Sequence, residues 1–434
     1  MKLSELLRNK IFWSIDLVKR GIKKKYFKEI QFLNENPNDK EVIEKKQIAL
    51  KNILTHAITT TEYYKKLTSY NSVNDFPVVN KNIIRAHSDD FKSIKFSENQ
   101  IFKVRTSGST GTPFEVFQNK LKKIRNIADN LYFSEKAGFR LGFRITYFRM
   151  WKAFEQKSSL VKFIQNIVPI DVFDLQKDEC KLSILTNLSK SSASNSWLGY
   201  ASAFESICKY LDKNNNTVPA YKLKSAIAIS ESLNTYTKQK MKTYFDVNVV
   251  SRYSNVENGI LAQQPLNKDY FLINEASYLI EILNLESDTP VKDGKIGRIV
   301  VTDLYNYAMP MIRYDTGDVG IKKIIEGNLA LEKVHGRKID TIYNTSGEVI
   351  NVNLILLVNN YPELKQCQLI QKSVGTYHIK LNIDKEFLRL EQLKTDLKQY
   401  LGKEATITNE YVDEIPLLAS GKRRVMVNEM NNKG

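Results

Sequence analysis

The sequence predicts an α/β protein: a large N-terminal domain of mixed and parallel sheets with a β-rich part, then a small α+β domain. Three observations carry this reading. Between Phe143 and Tyr270, short apolar runs alternate with helical stretches, the pattern of parallel strands joined by helices. After Tyr270 the texture turns β-rich. From near Gly336, a tail of about 95 residues mixes three strand patterns with one helix, which suits a domain of its own. The expected division is therefore 1–336 and 337–434.

Taken in order, Met1 to about Gln100 reads as mainly helical, interrupted at Pro77 and Asn80 in DFPVVNKNIIRAH. IFKVRTSGSTGTPFEVF reads as strand, polar turn, strand, the turn carrying Gly108, Gly111 and Pro113. LKKIRNIADNLYFSEKAG is a helix that stops at Gly138. RITYF, SWLGY, SAIAIS and VNVVSRYS have the length and apolar character of buried strands. SAFESICKYLDK and TYTKQKMKTYF are the helices between them. YLIEIL, GKIGRIVVTDLY, MPMIRYDTGDVGIKKI and NLALEKV continue as strands. In the tail, LKQCQLIQKS, TYHIKLNI and ATITNEYV are strands, with the helix EFLRLEQLKTDLKQYLG between them.

Composition narrows the classes. At 434 residues, with 42% hydrophobic and 26% charged residues, the chain is globular and long enough for two domains. Cys180, Cys208 and Cys367 form no CxxC pair, which argues against a disulfide framework or zinc knuckle and suits a reducing cytoplasm. The four histidines include no HExxH spacing, so a histidine-rich metal site is not expected. No apolar run approaches the ~20 residues that span a bilayer. MKLSELLRNKIFWSIDLVKRGIKKKYF lacks a signal-peptide core and reads as a basic amphipathic helix. Its plain reading is a helix packed on its own domain; the sharper one is weak peripheral contact with an anionic membrane. A net charge of +17 raises nucleic acid as a partner. The lysines are scattered, however, and the same charge would draw in ATP or a carboxylate, so no specific nucleic-acid role is expected.

Five motifs carry chemistry. In Arg105-Thr-Ser-Gly-Ser-Thr-Gly-Thr-Pro113, hydroxyls and glycine backbone N–H groups of Thr106, Ser107, Gly108, Ser109, Thr110 and Gly111 can wrap phosphate oxygens. No GK[ST] follows, so it is not a Walker loop. Tyr253-Ser-Asn-Val-Glu257 offers a ring to flank a purine and a carboxylate for magnesium. Arg313-Tyr-Asp-Thr-Gly-Asp318 ends a hydrophobic strand on Asp318, whose two oxygens suit the two hydroxyls of a ribose. His335-Gly-Arg-Lys-Ile-Asp340 sets Arg337 beside a glycine at the domain junction. Glu414-Ile-Pro-Leu-Leu-Ala-Ser-Gly-Lys-Arg-Arg424 puts Lys422 on a glycine-bearing loop. Singly, each has a plain alternative: a solvated loop, a surface glutamate, a β-turn, an interdomain turn, a basic tail.

Together and in this order, the five resemble the adenylate-forming superfamily, and most closely its phenylacetate–CoA ligase family, in the branch linked to capsular and O-antigen polysaccharide synthesis. EYYKKL, DFPVVNKNIIRAH and AISESL are similar to further stretches of that family, so the resemblance runs from about Glu62 to Arg424. It implies a large domain and a mobile C-terminal lid. It implies that ATP and Mg2+ are used to activate a carboxylic acid as acyl-AMP, followed by transfer to a thiol, CoA included, or to an amine. By the same resemblance, Thr106 to Gly111 hold phosphates, Tyr253 flanks adenine, Glu257 binds magnesium, Asp318 holds the ribose with Arg337 nearby, and Lys422 is catalytic. The acyl group is expected between the helix after the phosphate turn and the strands near Trp197, Tyr200 and Ser230. Thr112, Ser254, Val256 and Ile339 depart from the family pattern, and TIYNTSGEVINV lacks its RGxNVxP stretch. That last departure keeps open an amide-forming ligase that never uses CoA. A non-catalytic nucleotide- or nucleic-acid-binding protein on this fold is the remaining alternative. Oligomeric state is not legible.

Overall fold

The computed structural model describes residues 2–105, 114–151, 165–214, 222–337, 342–350, 361, 363–383, 386–413, 415–416 and 425–430. Among these, nine α-helices occur: α1 (Leu3–Val18), α2 (Ile22–Glu35), α3 (Lys40–Thr60), α4 (Lys81–Ala86), α5 (Lys120–Lys136), α6 (Asp178–Lys190), α7 (Ala201–Lys213), α8 (Thr235–Phe245) and α9 (Leu390–Leu401). A two-stranded hairpin, β1 (Ile101–Arg105) and β2 (Glu115–Asn119), flanks the predicted phosphate turn.

The main sheet has eleven strands: β3 (Arg144–Arg149), β4 (Ile167–Asp171), β5 (Asn195–Tyr200), β6 (Ser225–Ile229), β7 (Val249–Asn255), β8 (Gly259–Gln263), β9 (Phe271–Ile273), β10 (Tyr278–Leu283), β11 (Ile296–Asp303), β12 (Tyr314–Ile325) and β13 (Asn328–Arg337). Their order is β10-β11-β12-β13-β9-β8-β7-β6-β5-β3-β4. From β4 to β7 neighbours are parallel, and the crossovers from β4 to β5, β5 to β6 and β6 to β7 carry the helices α6, α7 and α8, as the alternating sequence predicts. From β7 onward every pair is antiparallel. By shape the sheet divides elsewhere: one half-sheet of β4, β3, β5, β6, β7 and β8 and another of β13, β12, β11 and β10 join through β9, a three-residue strand that pairs with β13 only at Phe271 and Leu272. The sheet is therefore narrow at its middle.

Burial follows from this layering. The parallel half buries Phe148, Trp197, Phe204, Ile207, Met241 and Phe245 against α6, α7 and α8. The antiparallel half buries Leu261, Tyr278, Ile280, Ile299 and Val301. A further core joins α3 and the segment around Phe76 and Val79 to Phe114, Met311 and Tyr314. Helix α5 is pinned from beneath by Lys122, whose Nζ lies 2.6 Å from Asp303 and donates to the Tyr278 hydroxyl at 2.9 Å; the ion pair is fully buried.

Residues from Ile342 onward build their own core, with Leu369, Tyr377, Ile379, Leu393 and Leu397 at its centre. It covers a four-stranded sheet of order β18 (Thr406–Tyr411), β17 (Thr376–Ile383), β16 (Leu364–Ser373), β19 (Met426–Asn428), with a small hairpin β14 (Ile342–Tyr343) and β15 (Val349–Ile350). No helix among the described residues is long and apolar enough to cross a membrane.

Candidate active site

Glu257 sits in the turn between β7 and β8. Asn255 Oδ1 accepts from the Asn258 backbone N–H at 2.8 Å and closes that turn. Gly259 follows with φ +122°, and a Cβ there would meet the Tyr278 hydroxyl at 2.9 Å, so the turn requires glycine. From the strand after the phosphate turn, Gln118 Nε2 donates to the Glu257 carbonyl at 2.9 Å. The Glu257 side chain is buried. Its Oε1 accepts from the Tyr314 hydroxyl at 2.7 Å and pairs with Lys81 Nζ at 3.1 Å.

Asp318 lies on β12 directly opposite Arg337 in the ladder with β13. Thr316 Oγ1 accepts its backbone N–H at 3.1 Å, and Gly317 takes φ +79° to turn the strand. Its Oδ2 accepts from the Tyr253 hydroxyl at 2.8 Å. Desolvation of the Tyr253 phenol, then the Asp318 charge beside it, push its pKa well above the ordinary value, so it remains a donor. Burial and the Glu257 carboxylate do the same to Tyr314.

Three strands separate β7 from β12 in the sheet, yet hydrogen bonds from Tyr253 to Asp318 and Thr316, and from Tyr314 to Glu257 just past β7, join them. The two half-sheets therefore fold toward each other, and their facing ends form a single site. Tyr253, Glu257 and Asp318, far apart in sequence, converge there, and the Arg337 backbone lies on the adjoining rung. The phosphate-turn residues Thr106, Ser107, Gly108, Ser109, Thr110 and Gly111 lie outside the described residues, as does Lys422. Phe114, just beyond that turn, is buried and stacks on Tyr314 with ring planes 6° apart. Phe114 thus packs on the residue that holds Glu257.

Of the three residues expected near the acyl group, Trp197 lies in the core, and Tyr200 and Ser230 lie nearer the surface. Trp197 is 1% exposed, with its ring against Phe148, Phe204 and Phe245 in the core. It faces the helices α7 and α8, and no face of it is left for a substrate. Tyr200 is half-buried, and burial raises its pKa against the opposing charge of Arg149. Ser230 is exposed at the end of β6 with φ +68°. Between α5 and β7, the sequence reading missed Arg252. This buried guanidinium donates to Gln263 Oε1 (2.7 Å), Asn130 Oδ1 (3.2 Å) and Ser134 Oγ (3.1 Å), all uncharged. Burial pulls its pKa down to about 10.

Lys81 and Tyr314 were missed as well. Lys81 stands in the FPVVNK stretch, whose Val79 pairs with Tyr314 as an isolated parallel bridge. Both lay inside motifs already singled out, but a partner 176 positions away in sequence (257 − 81) leaves no local signal for Lys81. Arg313, which opens the RYDTGD motif, has a structural task. At φ +50° it is buried, donates to the Asn74 and Phe76 carbonyls, and pairs with Glu281 at 3.1 Å.

Residues 342–429 match the family described as CapK C-terminal domain. Protein CapK of Staphylococcus aureus is 25% identical over 456 residues, spanning 98% of this chain and 96% of that one. The chain is similar to CapK over nearly its whole length and shares its fold with solved CoA ligases. The fold is that of 2-hydroxyisobutyryl-CoA ligase in the postadenylation state in complex with 2-HIB-AMP: TM-score 0.68, 13% identity, 89% of this chain and 90% of that one. ATP-bound MatB from Rhodopseudomonas palustris aligns with TM-score 0.54 and 16% identity over 76% of this chain and 68% of that one.

Magnesium was expected at Glu257. Among the described residues no cluster of three or more His, Cys, Asp or Glu side chains forms a metal cage. A lone buried carboxylate with both contacts on one oxygen still fits an ion carried mainly by nucleotide phosphates and water, as Mg2+ commonly is.

Proposed function

We propose that this chain activates a carboxylic acid with ATP and then passes the acyl group to a thiol, CoA included, or to an amine, in the cytoplasm and in the service of bacterial surface-polysaccharide synthesis. The observation that carries the reading is the pair of bonds across the half-sheets, Tyr253 to Asp318 and Tyr314 to Glu257. They hold a ring, a carboxylate suited to accept hydroxyls and a buried carboxylate near one another, close to Phe114. Full-length similarity to CapK supports the polysaccharide setting. The fold shared with ligases crystallised with ATP or an acyl-AMP supports the reaction type.

In the first step a substrate carboxylate oxygen attacks the α-phosphorus of ATP. The bond from that phosphorus to the bridging oxygen breaks, and pyrophosphate leaves with the electron pair. Asp318 accepts the ribose hydroxyls, with Tyr253 holding its carboxylate in place and flanking the adenine. Thr106 to Gly111 take the phosphates, and Arg337 reaches the nucleotide from the adjoining strand. Lys422 brings a positive charge to the transferring group. Glu257 would hold Mg2+, which neutralises phosphate charge when bound.

The test is a pyrophosphate-release screen over aromatic, amino and sugar acids, with dicarboxylic acids included and Lys422→Ala as control. Release that needs an acid and falls at least a hundredfold in the variant supports the reading. Equal rates in both proteins refute the role of Lys422, and no release with any acid counts against adenylation. Parallel assays with thiols and amines separate the two acceptors.

A further inference from the structure

Helix α1 is built inside out. Leu3, Leu7, Ile11 and Ile15 recur at four-residue spacing, and Leu6, Leu17 and Val18 fall on the same side of the helix. An ordinary surface helix would turn this face to the core. Here it faces solvent: Leu3, Leu17 and Val18 are 85%, 75% and 86% exposed, and Leu6, Leu7, Ile11 and Ile15 are exposed as well.

The polar side is turned inward instead. Glu5 and Asp16 are buried. Glu5 accepts from the Ser194 backbone N–H at 2.7 Å and its hydroxyl at 3.2 Å. Asp16 accepts the Lys23 and Lys24 backbone N–H groups at 3.1 and 2.9 Å, where α2 begins. Asn9 Nδ2 donates to the Leu141 carbonyl at 3.2 Å. Burying carboxylates is unfavourable unless they are hydrogen-bonded, and these are. The orientation is therefore specified, and the outward apolar face is a surface built for contact.

Charge identifies the partner. Glu5 and Asp16 are the only acids within residues 2–28, and both point inward. Lys10 lies within the apolar face, Lys19 and Arg20 at its end, and Lys24, Lys25 and Lys28 follow; all six are exposed. A second copy docked on this face would bring like charges together at an apolar seam. A bilayer of anionic lipids satisfies both features at once. We propose that α1 lies in the plane of such a bilayer, with its leucines and isoleucines at the acyl boundary and its lysines and Arg20 against headgroup phosphates.

The test is flotation of the full chain with phosphatidylglycerol–phosphatidylcholine vesicles and with phosphatidylcholine alone, at low and high salt. Wild type should partition at least tenfold more onto the anionic vesicles and be released as salt rises. Leu7→Ser/Ile11→Ser/Ile15→Ser keeps every charge and should lose at least tenfold. Lys10→Glu/Lys19→Glu/Arg20→Glu keeps the apolar face and should lose as much. These side chains are exposed, so melting midpoints should match wild type. The proposal is overturned if wild type stays unbound at low salt, if the serine variant floats like wild type, or if the face instead holds a dimer that the serine variant dissolves.

Discussion

Lys81 and Glu257 meet as an ion pair, Nζ to Oε1 3.1 Å, with the carboxylate buried and the ammonium one-third exposed. The pair ties the segment after Pro77 to the turn that carries the candidate magnesium ligand. Lys81→Met should lower kcat/KM for ATP in acid-dependent pyrophosphate release by about tenfold or more. Because Lys81 is partly in water, the cost in stability should be about 1–2 kcal/mol, below that of a fully buried pair. Steady-state kinetics and thermal melting separate the two, and unchanged kinetics would leave the pair a purely structural role.

Tyr253→Phe removes a hydroxyl that donates to a carboxylate, an interaction of about 1.5–3 kcal/mol. ATP affinity measured by calorimetry should fall about tenfold or more, and the melting midpoint should drop as well, because the bond is made in the folded chain without nucleotide. The pKa of the phenol is raised by desolvation and then by Asp318, so it stays protonated across neutral pH. Its contribution to ATP binding should be flat from pH 6 to pH 9. A loss of affinity through that range that is absent in the phenylalanine variant would contradict this.

The buried Lys122–Asp303 pair fastens the helix that follows the phosphate turn. Removing one partner leaves an uncompensated charge in the core, so Lys122→Met or Asp303→Asn should each cost about 3–5 kcal/mol in denaturant unfolding. The double variant should cost less than the sum of the two. Strict additivity would mean the pair does not act as a unit.

Burial by itself would raise the Glu5 pKa, but hydrogen bonds from Ser194 and Lys2 outweigh it and hold the pKa below the ordinary 4.5. A depressed folded-state value means the contribution to stability is present above about 4.5 and lost as pH falls through that lower value. Hydrogen-exchange protection across Leu3–Val18, corrected for intrinsic rates, should be steady from pH 7 to 5 and drop toward pH 3. Glu5→Gln should start lower and lose that pH dependence.

Much of the scaffold was legible because its period is local. RITYF, SWLGY, SAIAIS and VNVVSRYS became the parallel strands β3, β5, β6 and β7, and SAFESICKYLDK and TYTKQKMKTYF the helices α7 and α8. IVPID forms β4 although Pro169 lacks a backbone donor, because the strand lies at the edge of the sheet. The helix α6 was not singled out either. Long-range chemistry was less visible. Tyr253 and Asp318 could be nominated from motifs, but not that one would donate to the other. The surroundings of Trp197 were not legible, because a tryptophan on a strand reads the same whether it faces a ligand or three core rings. Arg252 escaped because its uncharged partners come from two other elements.

The narrowness of β9 carries one more consequence. Two broad plates joined by a slender strap can tilt against each other more readily than either can deform, and the tyrosine bonds span the gap like stitches. A molecule seated between them grips both plates, so occupancy should harden the whole scaffold and not merely plug a hole.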